Sequence, residues 1–220
     1  MNFIKNHPVD YSAVIAGTHL IAFPGLSAER KQDIIDLMMY ADFYASQTWR
    51  REEQWTSWIQ YYQAQLLTSG CKLRSAIVKP PMYITDASEL DHVGIGITGT
   101  INVNNLLDLA QRSFKAARIS QFARHFFEFG TASGSRSAFL MVPCERLDAD
   151  DVSILLCGLH AKATINSESR GGDWRTNREM LVRLSGGVYS FSQQAYSERR
   201  EVIRRRLNDV ARYNLQGINI

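Results

Sequence analysis

The apolar positions of this chain change their period twice, and the changes divide it. From Ser27 onward, Ile34, Ile35, Met38 and Tyr44 follow helical spacing; Ser27 is a good N-cap and Glu29 falls in the first turn, so a helix is predicted to start there. After a break over residues 46–51, Trp55, Ile59, Tyr62 and Leu66 recur at steps of four, three and four, with Trp58 beside them. That spacing puts five large side chains on one helical face. Glu52 and Glu53 suit the positive end of the helix dipole, and Gly70 can take the left-handed conformation that ends a helix. Residues 52–71 are thus the best-specified stretch, and 27–70 together read as a helical hairpin.

Beyond Gly70 the period falls to two. Residues 73–78 read as a strand, Pro80 and Pro81 interrupt it, 82–85 resume it, and in 93–103 β-branched residues alternate with glycine and threonine, so strands are predicted within 73–103. Asn102 or Asn104 can cap a third helical region, 104–129, carried by Leu106, Leu107, Leu109, Phe114, Ile119, Phe122, Phe126 and Phe127. Residues 130–134 are the clearest loop. Three β-rich stretches, 138–142, 152–165 and 180–191, then suit an antiparallel meander over 138–191, separated by an acidic turn at 148–151 and a loop at 167–178. Residues 154–159 are apolar on both faces, which favours a central strand. A helix over 196–214 closes the chain, whereas the first 26 residues, punctuated by Pro8, Gly17, Pro24 and Gly25, read as an irregular or partly helical lead-in.

The expected fold is a single α/β domain of the α+β type over residues 1–220: a mainly antiparallel sheet of about five strands, with the hairpin on one side and the other helices nearby. Trp55, Ile59, Tyr62, Leu66, Phe122, Phe126, Leu155, Leu156, Ile203 and Leu207 should be buried.

Composition narrows the function classes only a little. A net charge of +3 over 220 residues is too mild to imply a nucleic-acid partner, and a membrane partner must be argued from local patches. Cys71, Cys144 and Cys157, the three cysteines, lie far apart, which argues against a disulfide scaffold or a zinc knuckle and suits a reducing compartment. The apolar segment 13–28 follows Lys5 as a secretory leader might, but Pro8, Asp10 and His19 interrupt that pattern. It is read as mature structure, in a protein made soluble in the cytoplasm without a clear signal peptide; a toxin-like role would add release from the producing cell.

Candidate chemistry is sparse. Gly94, Gly96 and Gly99 match a dinucleotide fingerprint by letter, yet their neighbours favour extended chain and no helix opens among them. His7, His19, His92, His125 and His160 show no metal-ligand spacing, Asp148, Asp150 and Asp151 lack the remainder of a calcium loop, and no cofactor is implied. Asp91 and His92 could form an acid/base pair if a serine came near, which leaves a hydrolase as one alternative. Arg170, Trp174 and Arg175, in the loop before the last β-stretch, could hold a ligand or lipid headgroup. Arg204, Arg205 and Arg206, in the final helix, could attract an anionic membrane, although Glu198, Glu201 and Asp209 interleave with the helix's arginines at pairing distances.

The helix of Trp55, Trp58, Tyr62 and Leu66 ending in Gly70, with the closing helix of Tyr196, Arg199 or Arg200, Ile203 and Leu207, resembles a family of mostly uncharacterised bacterial and fungal proteins. These are packing motifs, and the family transfers no catalytic residues. The element order is also similar to Cyt-type cytolytic toxins and the Evf virulence factor, which sandwich a sheet between helical layers and act on lipid without enzymatic chemistry; the acylated cysteine of the Evf type has no match here. The resemblance implies a non-enzymatic, toxin-like or virulence-associated protein that meets membranes, with oligomerisation possible through apolar strand edges. A homo-oligomer and an anionic membrane surface are therefore the expected partners. The alternative is a self-assembling or partner-binding protein without membrane activity.

Overall fold

A computed structural model describes residues 11–91, 94–98, 103–116, 120–129, 134–148, 150–170, 173–210 and 215–218. One eight-stranded mixed sheet, mainly antiparallel, lies between two helical layers. Strands β1 (Ala13–Ala16) and β2 (His19–Ala22) open the described chain as a hairpin. This corrects the irregular or helical lead-in expected there. Gly17 takes φ 60° in the turn between them, and four-residue strands are too short to display a period of two.

Helix α1 (Ala28–Thr48) starts as expected: Ser27 is extended and its Oγ accepts from the Arg30 amide at 3.4 Å. Helix α2 (Trp55–Thr68) follows, with Trp55, Trp58, Ile59, Tyr62 and Leu66 all buried. Glu52 and Glu53 fall just outside it rather than in its first turn, and Glu53 pairs with Arg50 at 3.0 Å. Gly70, at φ 100°, ends the segment; a Cβ there would also come within 3.0 Å of the Tyr196 amide nitrogen.

Strands β3 (Cys71–Ala76) and β4 (Met82–Ile84) both pair with a later strand, separated by the Pro80–Pro81 break. A short helix, α3 (Ser88–Asp91), comes next. The strand expected over 93–103 is not formed in its described part: residues 94–98 make only an isolated bridge, Ile77 to Ile97, and Val103 already accepts the first helical bond, from Leu107. Two glycines in five residues supply no side chains to hold a longer ladder. The third helical region comprises α4 (Asn104–Ala116) and α5 (Ser120–Phe129). Gly134 takes φ 87°, and the rest of the expected loop, 130–133, lies outside the described residues.

The meander is β5 (Arg136–Arg146), β6 (Asp151–Arg170) and β7 (Asp173–Ser192), paired antiparallel in that order. The acidic stretch between β5 and β6 is a polar turn in which Asp148 Oδ1 accepts from the amides of Asp150 and Asp151, each at 2.8 Å. The loop expected over 167–178 is instead ladder, since β6 and β7 stay paired to Arg170 and Asp173. Its composition is polar, and a polar stretch offers no apolar periodicity from which a strand can be read. Helix α6 (Gln193–Val210) and β8 (Leu215–Ile218) end the described chain; β8 pairs with β1, an element the expected terminal helix had not included.

Across the sheet the order is β3, β7, β6, β5, β2, β1, β8, with β4 on the same flank of β7 as β3. All pairings are antiparallel except β2 with β5. Alternation sorts side chains to two faces. Val152, Ile154 and Leu156 of β6 pack with α1, α2 and α6, whereas Leu155, Cys157, Leu159, Ala161 and Ala163 pack with α3, α4 and α5. Of the residues expected inside, all are buried except Phe122, whose side chain lies outside the described set.

Candidate functional site

The first face of the sheet, beneath α1, α2 and α6, concentrates the buried polar groups. A column of rings runs between α2 and the sheet. His160 stacks on Trp55 with centroids 5.5 Å apart, Trp55 on Trp58 at 5.7 Å, Trp58 meets Tyr62 at 5.1 Å, and Tyr62 stacks on His19 at 5.7 Å. The spacing of α2 dictates the middle of this column, because Trp55, Trp58 and Tyr62 are three and four residues apart. Strands β2 and β6 supply the histidines at its ends.

Polar contacts hold the column from the side. Arg51, in the link between α1 and α2, pairs with Asp42 of α1 and donates to Thr18 in the β1–β2 turn. Its guanidinium also lies 4.6 Å from the Trp58 ring centroid. Trp58 Nε1 donates to Ser46 Oγ at 3.0 Å, and Ser46 Oγ donates to Asp42 at 3.2 Å. Burial pushes the His19 imidazole down to about 4, the nearby Arg51 adding to the shift and Asp42 opposing it. Its Nε2 has no hydrogen-bond partner among the described residues. His160 is lowered as well, first by burial; its Nε2 lies 2.8 Å from the Glu52 carbonyl oxygen, so Nε2 carries the proton of the neutral ring.

A second cluster ties α6 to α1. Asp33, fully buried, accepts from Arg200 Nε at 3.0 Å and Nη2 at 2.6 Å, from Arg204 Nη2 at 3.1 Å and from Gln193 Nε2 at 2.7 Å. Arg204 Nε donates to Asp36 at 3.0 Å, and Gln32 donates to the same carboxylate at 2.7 Å. Desolvation raises the Asp36 carboxyl above its ordinary range, and the Asp33 contact raises the Arg200 guanidinium. An open polar cleft of about 810 Å³ lies beside this cluster, where Arg30, Arg146 and Arg200 are interspersed with Glu29 and Asp150. Its mixed charge selects no single ligand sign.

The residues singled out from the sequence are dispersed. Arg204 is engaged by Asp33 and Asp36, Arg205 is exposed, and Arg206 lies exposed with its guanidinium 5.9 Å from the ring centroids of Phe43 and Tyr44. Arg200 and Arg204 thus pair across to α1 rather than with the acids of their own helix. Arg170, Trp174 and Arg175 occupy the far end of the β6–β7 ladder, where Ser169 pairs with Trp174 and Glu168 with Arg175; their side chains lie outside the described set. Asp91 ends α3, while His7 and His92 lie outside the described residues. Cys71, Cys144 and Cys157 are buried free thiols, and burial pushes Cys71 and Cys157 up to about 12, which makes them inert packing groups. Among the described residues no group of three His, Cys, Asp or Glu is arranged to hold a metal ion, and no helix is long and apolar enough to cross a membrane.

Sequence reasoning passed over Asp33, Asp36, Asp42 and Arg51, and weighed His19 only as a metal ligand and as a break in the apolar segment 13–28. One signal was present: acids three apart on α1 and arginines four apart on α6 form matching stripes. Nothing in the linear order says that the stripes face each other. The resemblances to known families rest on packing residues and element order alone: no protein-family model, no curated protein and no solved structure matches this chain.

Proposed function

We propose that this is a non-enzymatic, toxin-like protein that acts on membranes, keeping an apolar β-meander covered until its helical layer is released. The observation that carries the reading is β6: all ten residues 152–161 are buried, between apolar layers on both faces. At about 3.3 Å per residue this stretch is roughly 33 Å long, comparable to the ~30 Å hydrocarbon core of a bilayer. A sheet apolar on both faces stays in water only while both faces are covered. On the first face the cover encloses His19, whose buried imidazole the fold keeps neutral, so acidification can act on it. The exposed Arg205 and Arg206 supply positive charge for an anionic surface.

The test is dye release from neutral and anionic liposomes at pH 7 and near pH 4, with the full chain. Leakage that appears at the acidic pH supports the reading. Absence of binding and leakage with either lipid, from acidic to alkaline pH, rejects it. Replacing Arg204, Arg205 and Arg206 with glutamine separates a lipid contact by α6 from leakage that does not use that helix.

One observation favours a second reading, self-assembly. Leu73, Val78 and Tyr83 are 49%, 65% and 66% exposed on the β3–β4 flank of the sheet. Large apolar side chains at a sheet edge favour pairing with another copy. Sedimentation that shows a monomer over a wide concentration range removes it.

A further inference from the structure

The alternation of β5, β6 and β7 places three cations and a histidine together on the first face, beyond the start of α2. Arg136 lies directly opposite Lys162, and His160 directly opposite Arg183, while Lys162 and His160 are two positions apart on β6. Directly opposed residues have Cβ atoms about 4.5–5.5 Å apart, and positions two apart on a strand are separated by roughly 6.6 Å. The ends of these long side chains can therefore converge on one small ligand. Arg136 is exposed, and Lys162 and Arg183 are half-buried. No side-chain hydrogen bond or ion pair joins any of the three to another described residue, in contrast to Arg51, Arg200 and Arg204.

Three cations at adjacent lattice positions repel one another, which favours an anion between them. Glu52 is exposed above His160 and within its electrostatic reach, Glu53 pairs with Arg50, and Glu179 lies one pairing step further along, opposite Thr164. The start of α2 stands over the same spot, with Trp55 stacked on His160 and no side-chain hydrogen bond from its Gln54 cap. A helix beginning there adds a favourable field for negative charge.

We propose that Arg136, Lys162 and Arg183 form a binding site for a phosphate-type anion, carried by a soluble phosphate compound or by a lipid headgroup, on the sheet face beside His160. The two guanidinium groups supply paired N–H donors for phosphate oxygens and Lys162 a point charge. The site requires neither leakage nor any rearrangement of the helices, so it stands or falls apart from the membrane reading.

The test uses the full chain and inorganic phosphate, with calorimetry for binding and histidine NMR for His160. Saturable binding is expected, weakened at least roughly tenfold in the Arg136→Gln/Arg183→Gln variant, as for loss of charge-assisted hydrogen bonds. Replacing Lys72, exposed on β3, with glutamine should change nothing. Arg183 and Arg136 both disfavour His160 protonation, so a bound anion should raise the pH at which His160 titrates, and should not do so in the double variant. Lys162→Gln, removing a single partially exposed charge, gives the same comparison if the double variant melts early. Phosphatidate vesicles that bind, with phosphate as competitor, assign the site to a headgroup; phosphate binding without vesicle binding assigns it to a soluble compound. No saturable phosphate binding, equal affinity in native and variant chains, or a His160 titration unmoved by phosphate would overturn the proposal.

Discussion

The indole of Trp55 lies directly against Gly158. A Cβ at position 158 would come within 2.8 Å of both Cζ2 and Cη2 of Trp55 and 3.1 Å of Leu140 Cδ2, while Trp55 Nε1 donates to Ser185 Oγ at 3.3 Å. Trp58 and His160 flank the same indole, so it has little room to withdraw. Gly158→Ala is expected to cost about 1–3 kcal/mol by overpacking, and to lower the melting temperature by roughly 2–4 °C per kcal/mol. Urea and thermal unfolding measure this, and an unchanged midpoint would mean that α2 is not seated on β6 as described.

Acid should weaken the first face through His19. Its ionisation is pushed from 6.5 down to about 4 in the folded chain, so the fold favours the neutral ring. The unfolded chain takes up the proton first as pH falls; stability is therefore lost between about pH 6.5 and pH 4, by roughly 3 kcal/mol at about 1.4 kcal/mol per unit. His160, also lowered, acts in the same direction. Asp36, which is raised, acts oppositely and stabilises the fold as it protonates. His19→Gln should flatten the decline across that window in denaturant titrations at stepped pH, and an equally steep decline would reject His19 as its source.

The α1–α6 cluster should behave as a unit. Asp33→Asn leaves two arginines that remain partly exposed, so the cost is expected near 2–4 kcal/mol, at or below the range for breaking a buried pair. A double-mutant cycle between Asp33→Ala and Arg200→Ala should give a coupling of at least about 1 kcal/mol. Additive effects in thermal unfolding would show that the two do not interact.

The β3–β4 flank can be tested without touching either buried cluster. Leu73→Lys and Tyr83→Lys are expected to shift unfolding by less than about 0.5 kcal/mol each, as exposed substitutions do. If that flank drives association, the same pair should abolish concentration-dependent sedimentation.

By itself the sequence determined the elements whose signals are local. Helical spacing and end residues marked α1 and α2, Gly70 stopped the second, Pro80 and Pro81 split β3 from β4, and the two-sided apolar run of β6 announced a central strand. The β1–β2 hairpin and β8 escaped because short strands carry almost no period and draw their stability from partners far along the chain, β5 and β1. Only the tertiary structure decided which charges meet. Asp33 reaches Arg200 across 167 positions, and Arg136, Lys162 and Arg183 become neighbours solely through the register of three strands. A one-residue slip in that register would send each of those cations to the opposite face, so the pairing of the ladder, rather than any motif, creates the basic patch.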